Sequence, residues 1–144
     1  MVGVADKPET ARFAMAEATV RMNPAAVAAV RAGTRKGDAL QVARIAGIQA
    51  AKRTSELIPL CHPLRLTRVE VTAELLDSEA ILTATVEAVD RTGVEMEALT
   101  AVTVAALALY DMIKSVDHGA VIADVRLVEK RGGKTGLLRP HGEP

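Results

Sequence analysis

The run LTRVEVTAELLDSEAILTATVEAV, Leu66 to Val89, decides the fold. Leu66–Leu75 and Ala80–Val89 are rich in valine, isoleucine and threonine in alternating order, and Asp77-Ser78 between them supplies turn chemistry, so the run predicts an antiparallel hairpin. Working back, Ala11 to Met22 (ARFAMAEATVRM) sets Phe13, Met15 and Val20 among charged positions with partial period-two order and predicts a strand. Asn23-Pro24 places a capping residue before a first-turn proline, and the apolar run that follows stops at Gly33, which predicts a short helix. From Asp38, LQVARIAGIQAAKRTSEL puts Leu40, Ala43, Ile45, Ile48 and Ala51 on overlapping helical faces, a second helix. Working forward, Val94 to Val116 reads as a long helix and Val121 to Val128 as a last strand. Strand, helix, helix, hairpin, helix, strand is a split βαβ order with one added helix. It points to an α+β ferredoxin-like sandwich, an antiparallel sheet packed on helices, in one domain over residues 1–144 with a loose N-terminus (1–9) and tail (137–144).

With 144 residues, 49% of them hydrophobic, the chain can bury one core without a covalent staple. A single cysteine excludes an internal disulfide framework, and with no apolar leader at the start the expected compartment is the cytoplasm. Eighteen basic residues balance eighteen acidic ones, which removes the broad positive field of a general nucleic-acid binder. Phe13 and Tyr110 are the only aromatics, too few for a base-stacking platform. The apolar stretch Ala98–Tyr110 falls short of the ~20 residues of a membrane span, so no membrane partner is expected. That helix is nonetheless apolar nearly all round, and a domain this small has little left to cover its outer side; a homo-oligomer is the expectation.

The chemistry gathers in three places. LIPLCHPL, Leu57 to Leu64, clamps Cys61 and His62 between Pro59 and Pro63, which bias Ile58 and His62 toward extended backbone and fix the imidazole direction. His62 is open to structural, base, donor or metal-ligand roles. Metal binding is the weakest of these, because Cys61 points the other way in an extended chain and His118 and His141 lack ligand spacing. Cys61 reads as a small buried residue. In TGVEME, Thr92 to Glu97, the pair Thr92 and Glu95 has capping-box spacing. Glu97 can either accept two parallel hydrogen bonds from a guanine-type N–H edge or simply favour the helix N-terminus.

Asp111 and Lys114 share one face at the far end of the long helix as an ion pair, and an aspartate that opposes the helix dipole beside Met112 and Ile113 is expected to be partly desolvated, with a raised pKa. Fourteen residues separate Glu97 from Asp111, about 21 Å along a helix, so a single small ligand reaches both only if two subunits build the site. Basic groups recur at Arg35-Lys36, Lys52-Arg53 and Lys130–Gly136. The last is not a P-loop, since Val128 occupies the first glycine position and no helix follows, although a backbone nest with Lys134 suits a phosphate.

KGD (Lys36–Asp38), ARIAGIQAAKRT (Ala43–Thr54), LIPLCHPL, TGVEMEALTA (Thr92–Ala101), YDMIK (Tyr110–Lys114) and GGKTG (Gly132–Gly136) together resemble the MoaC family of molybdenum-cofactor biosynthesis, in order from about Ala11 to Gly136. The resemblance implies a ferredoxin-like hexamer, a trimer of dimers with sites between subunits. It implies conversion of 3′,8-cyclo-7,8-dihydro-GTP, a purine triphosphate, into cyclic pyranopterin monophosphate with loss of pyrophosphate; no metal site and no cofactor are expected, with a divalent cation on the phosphates left open. On matching positions it makes Asp111 catalytic with Lys114 beside it, and puts substrate contacts on Leu60, Cys61, His62, Met96 and Glu97, with Glu95, Lys36, Lys52 and Lys134 also in the site. One departure stands out: Val2-Gly3-Val4 occupies a segment where the family has Val-Asp-Val. Two rivals remain, a non-catalytic ferredoxin-like ligand-binding or assembly module and a metal-dependent hydrolase using His62 and Cys61.

Overall fold

The computed structural model describes residues 1–142; positions 143 and 144, the end of the expected tail, lie outside the described residues. The elements run β1 (Thr10–Arg21), α1 (Pro24–Ala32), α2 (Ala39–Lys52), α3 (Thr54–Leu57), β2 (Leu66–Leu75), β3 (Glu79–Asp90), α4 (Glu95–Ile113) and β4 (Val121–Arg131). The strands form one antiparallel sheet in the order β2-β3-β1-β4. This is the expected α+β ferredoxin-like sandwich.

Three details differ from the sequence expectation. The segment from Asp38 to Leu57 is two helices, because at Arg53 the backbone N–H bonds to Ala50 O and Ala51 O and ends α2. The Thr54 hydroxyl reinforces that stop by donating to the same two carbonyls, at 3.2 and 3.0 Å. The long helix is also shorter at both ends than Val94–Val116, and β4 continues to Arg131 rather than stopping at Val128.

Alternation along β1 sets the layers. Ala14, Ala16, Ala18 and Val20 face the core, opposite Val86, Ala84, Leu82 and Ala80 of β3. Above this face α4 crosses β1, β3 and β4, and α2 lies beside it over β2. The side chains at the contact are small: Ala98, Ala101, Val102, Ala105 and Ala106 of α4 are all fully buried. Asn23 caps α1 through its side chain, which accepts from Ala26 N, and its own N–H donates to Asp117 after α4, so both helices are pinned to one loop.

At 19 residues α4 is longer than the apolar stretch read from the sequence, and its length and composition alone would let it cross a membrane. Its packing against the sheet and α2 identifies it as a core helix instead. Met96 and Leu107 on its outer side stay exposed, as do Val42 and Ile45 of α2.

Gly47 marks where α2 and α4 touch. A β-carbon there would lie 2.9 Å from Ala101 O, 3.1 Å from Ala105 Cβ and 3.2 Å from a Val71 methyl. Glycine to alanine inside a helix ordinarily stabilises by about 1 kcal/mol. Here overpacking wins, and Gly47→Ala is expected to lower stability by about 1–3 kcal/mol in chemical denaturation; a variant as stable as the parent would show that the two helices do not meet this closely.

Candidate active site

Charged and polar clefts lie at both ends of α4. At its N-terminal end the proline-clamped loop faces the start of the helix. The chain leaves α3 through a turn in which Ile58 N bonds to Thr54 O at 2.8 Å and Cys61 N to Ile58 O at 3.1 Å, with Ile58 extended before Pro59. This turn lays Leu60, Cys61 and His62 along one wall of a cleft whose opposite wall holds Met96 and Glu97. Glu97 is only 4% exposed, and burial pushes its carboxyl up to about 7, with Glu95 and Asp90 adding repulsion. Burial, then the nearby Glu97, raises the Cys61 thiol, which keeps it protonated and a poor nucleophile.

Thr92, Gly93 and Glu95 form the partition between this cleft and a second one of about 460 Å³. Its walls carry Lys7, Arg12, Arg91, Lys130 and Lys134, with the glycine-rich turn after β4 closing one side. Thr10 Oγ1, also in this wall, is the one buried side-chain oxygen or nitrogen among the described residues without a hydrogen-bond partner. The capping box expected of Thr92 and Glu95 does not form. The N-cap is Val94, so Glu95 is the first residue of the helix rather than the third, and its carboxylate pairs with Lys130 on β4.

The other end of α4 carries Asp111, with Lys114 Nζ 2.7 Å and Lys36 Nζ 2.8 Å from its two carboxylate oxygens. Each residue of KGD has a local reason. Lys36 sits in a tight Thr34–Gly37 turn, where Thr34 N bonds to Gly37 O at 2.9 Å and Gly37 N to Thr34 O at 3.0 Å. Gly37 takes φ 116, which a side chain would strain, and Asp38 caps α2 by accepting from Gln41 N at 3.1 Å. The turn thus extends Lys36 back over the end of α4, where it also donates to Asp111 O at 3.3 Å. The raised pKa expected for Asp111 is overturned. The side chain is half exposed, and hydrogen bonds from Lys114 first and Lys36 second hold the carboxyl down at about 2.

The residues singled out from sequence therefore fall into separate groups. Leu60, Cys61, His62, Met96, Glu97 and Glu95 share the N-terminal cleft, and Lys134 lies in the basic cleft beside it. Lys36, Asp111 and Lys114 form the distal cluster. Lys52 is in neither; it lies with Arg68 in a groove on the other side of Leu64. The sequence reading does not single out Lys7, Arg12 or Arg91, and it names Lys130 only as the start of the basic Lys130–Gly136 group. Arg12 did carry a signal: it has the same parity as the buried Ala14, Ala16 and Ala18, so it points to the helix side of the sheet where β1 begins. Among the described residues no three His, Cys, Asp or Glu side chains converge as a metal site would require.

Fold and clefts define a class first: a ferredoxin-like α+β protein that gathers charged groups of both signs at each end of one core helix. The comparison with known proteins then identifies it, since the MoaC family profile matches residues 1–133. The chain belongs to the MoaC family. It is 57% identical over 142 residues to a cyclic pyranopterin monophosphate synthase of Thermomicrobium roseum, a match covering 96% of this chain and 86% of that protein.

The buried carboxylate gives a signed expectation. Between the ordinary carboxylate value of 4.5 and about 7, the folded chain holds a proton on Glu97 that the unfolded chain has released, so stability falls as pH rises through that window. Glu97→Gln is expected to stabilise the protein by about 1–3 kcal/mol at pH 8 and to change little at pH 4. Melting curves at both pH values test this; an equal effect at the two would show that Glu97 titrates normally.

Proposed function

We propose that the chain is a cyclic pyranopterin monophosphate synthase that converts 3′,8-cyclo-7,8-dihydro-GTP into cyclic pyranopterin monophosphate and pyrophosphate. One observation carries the reading: 57% identity, over nearly the whole chain, to a protein of that name. The clefts supply groups suited to the chemistry. Making a cyclic monophosphate from a triphosphate requires a hydroxyl of the ligand to lose its proton and attack the α-phosphorus while the bond to the β-phosphate oxygen breaks. Lysines offset the charge that develops on the departing pyrophosphate, and Asp111 with Lys114 moves protons.

The resting state of Asp111 adds a condition. A carboxylate held at about 2 by two ammonium groups is a weak base. Phosphate oxygens that draw Lys36 and Lys114 toward themselves raise its basicity, so proton transfer is coupled to arrival of the anionic substrate. At the other end of the helix, Glu97 in its ionised form accepts from the N–H edge of the guanine-derived ring, with His62, Cys61 and Leu60 on the facing wall.

Some 21 Å of helix separates these two groups, longer than one substrate spans. We infer that the working site joins the Glu97 end of one subunit to the Asp111 end of another, in a homo-oligomer of the hexameric, trimer-of-dimers kind. The exposed Met96 and Leu107 on the outer side of α4 suit burial between copies.

Incubating the pure protein with the cyclised GTP intermediate is expected to release pyrophosphate; a folded but inert preparation counts against the reading and favours a non-catalytic binding module. Asp111→Asn is expected to lower turnover by about a hundredfold or more with the circular dichroism spectrum and melting temperature retained. Near-normal turnover in that variant removes Asp111 from the mechanism.

A further inference from the structure

The partition between the two N-terminal clefts is itself charged, and the proposed function gives it no task. On one side lie five cationic side chains, Lys7, Arg12, Arg91, Lys130 and Lys134, with Glu95 the only acid among the lining residues. On the other side the lining carboxyl groups are Glu95 and the buried Glu97, with His62 the one imidazole and no lysine or arginine. Glu95 belongs to both walls. Its side chain folds back over Gly93, so tightly that a β-carbon on that glycine would lie 1.9 Å from a Glu95 oxygen, and its carboxylate pairs with Lys130. Both partners are largely sheltered, at 25% and 20% side-chain exposure. A pair so placed is felt more strongly than a surface one, because less solvent screens it.

We propose that Glu95, acting through Lys130, is an orientation filter: it keeps the phosphate groups of the ligand in the basic cleft and out of the cleft that reads the ring. The inference rests on the enzymatic reading above and adds a positioning role within that site. Without a negative charge in the partition, a polyanion would meet a continuous positive field from Lys134 to the edge of the Glu97 cleft, and a phosphate could settle where the ring should lie. With it, Lys130 is half neutralised in the free protein and attracts phosphate only from its open side.

The alternative is a plain strut tying the start of α4 to the end of β4, and the two are separable because the halves of a strut fail alike. Inorganic tripolyphosphate, titrated calorimetrically into the full-length protein at fixed ionic strength, probes the basic cleft without any need for turnover. Glu95→Gln keeps the shape, removes the charge and frees Lys130, so it is expected to tighten tripolyphosphate binding about three- to tenfold; Lys130→Gln is expected to weaken it by a similar factor. With the nucleotide substrate, Glu95→Gln should lower kcat and KM together, the pattern of non-productive binding. If both substitutions weaken tripolyphosphate binding, the pair is a strut and the filter is overturned. If Lys130→Gln does not fold, Glu95→Gln decides alone, since unchanged or weaker binding overturns the proposal. Opposite-signed shifts in the two variants together with a parent protein that releases no pyrophosphate sink the enzymatic reading and leave the charged partition standing. Normal turnover with same-signed shifts overturns the filter alone.

Discussion

The contact of α2 with α4 at Gly47, and of α4 with the alanine face of β1, is the constraint on which the rest of the molecule depends. With no β-carbon at Gly47 and only methyl groups at Ala101 and Ala105, the two helices approach until the backbone of one meets the other. The stripe Ala14, Ala16, Ala18 beneath is equally shallow. Close approach of small residues leaves few rotamers to choose among and little room to shift, so α4 behaves as a stiff bar. Everything chemical hangs from its two ends: Glu95 and Glu97 in the first turn, Asp111 and Lys114 in and just past the last. A larger residue in the seam would lift the bar, and both ends would move relative to the loops that face them.

That bar holds two carboxylates in opposite states. Glu97 is sealed against the proline-clamped loop, and desolvation keeps its proton up to about pH 7. Asp111 stands in solvent between two lysines and is ionised down to about pH 2. Each environment suits a different task. A carboxylate near neutrality responds to the hydrogen bonds a ring edge brings, whereas one gripped by lysines becomes a useful base only when a polyanion competes for those lysines. The chain as a whole has no net charge, so these differences come from local arrangement alone.

Much of this was legible in the sequence, and the failures have identifiable causes. Alternation in Leu66–Val89 gave the hairpin, since period two is a local signal that the sheet only has to accept. Asn23, Pro24 and Gly33 bounded α1 because capping is local too. The capping box at Thr92 was misread because the start of a helix depends on where its first turn can pack: Val94 is fully buried, and anchoring it there moves the cap two residues past Thr92. The pKa of Asp111 was read with the wrong sign for a similar reason. Its neighbours Met112 and Ile113 do turn inward, but Asp111 itself points out, and its second partner Lys36 lies 75 residues away in a turn no helical pattern announces. The pairing of Lys130 with Glu95 is not legible in the sequence, because strand pairing alone brings it to Glu95, 35 residues distant.

The geometry of a stiff helix also bears on assembly. Were the clusters at its two ends on flexible loops, a single chain would be free to fold them together around a ligand. On a rigid core helix they are held about 21 Å apart, and no rotamer change of Lys36 or His62 closes that distance. One chain therefore offers two separate surfaces: a cleft holding Glu97 with adjoining cations but no Asp111, and a cluster of Asp111, Lys36 and Lys114 at the other end of the helix. If, as proposed, each is half of a site, juxtaposing unlike ends of two copies would complete it without any change inside either copy, which is the economy of a symmetric homo-oligomer. The exposed apolar residues beside each half, Leu60 and Met96 at one end and Leu107 and Val116 toward the other, lie where such a junction would bury them.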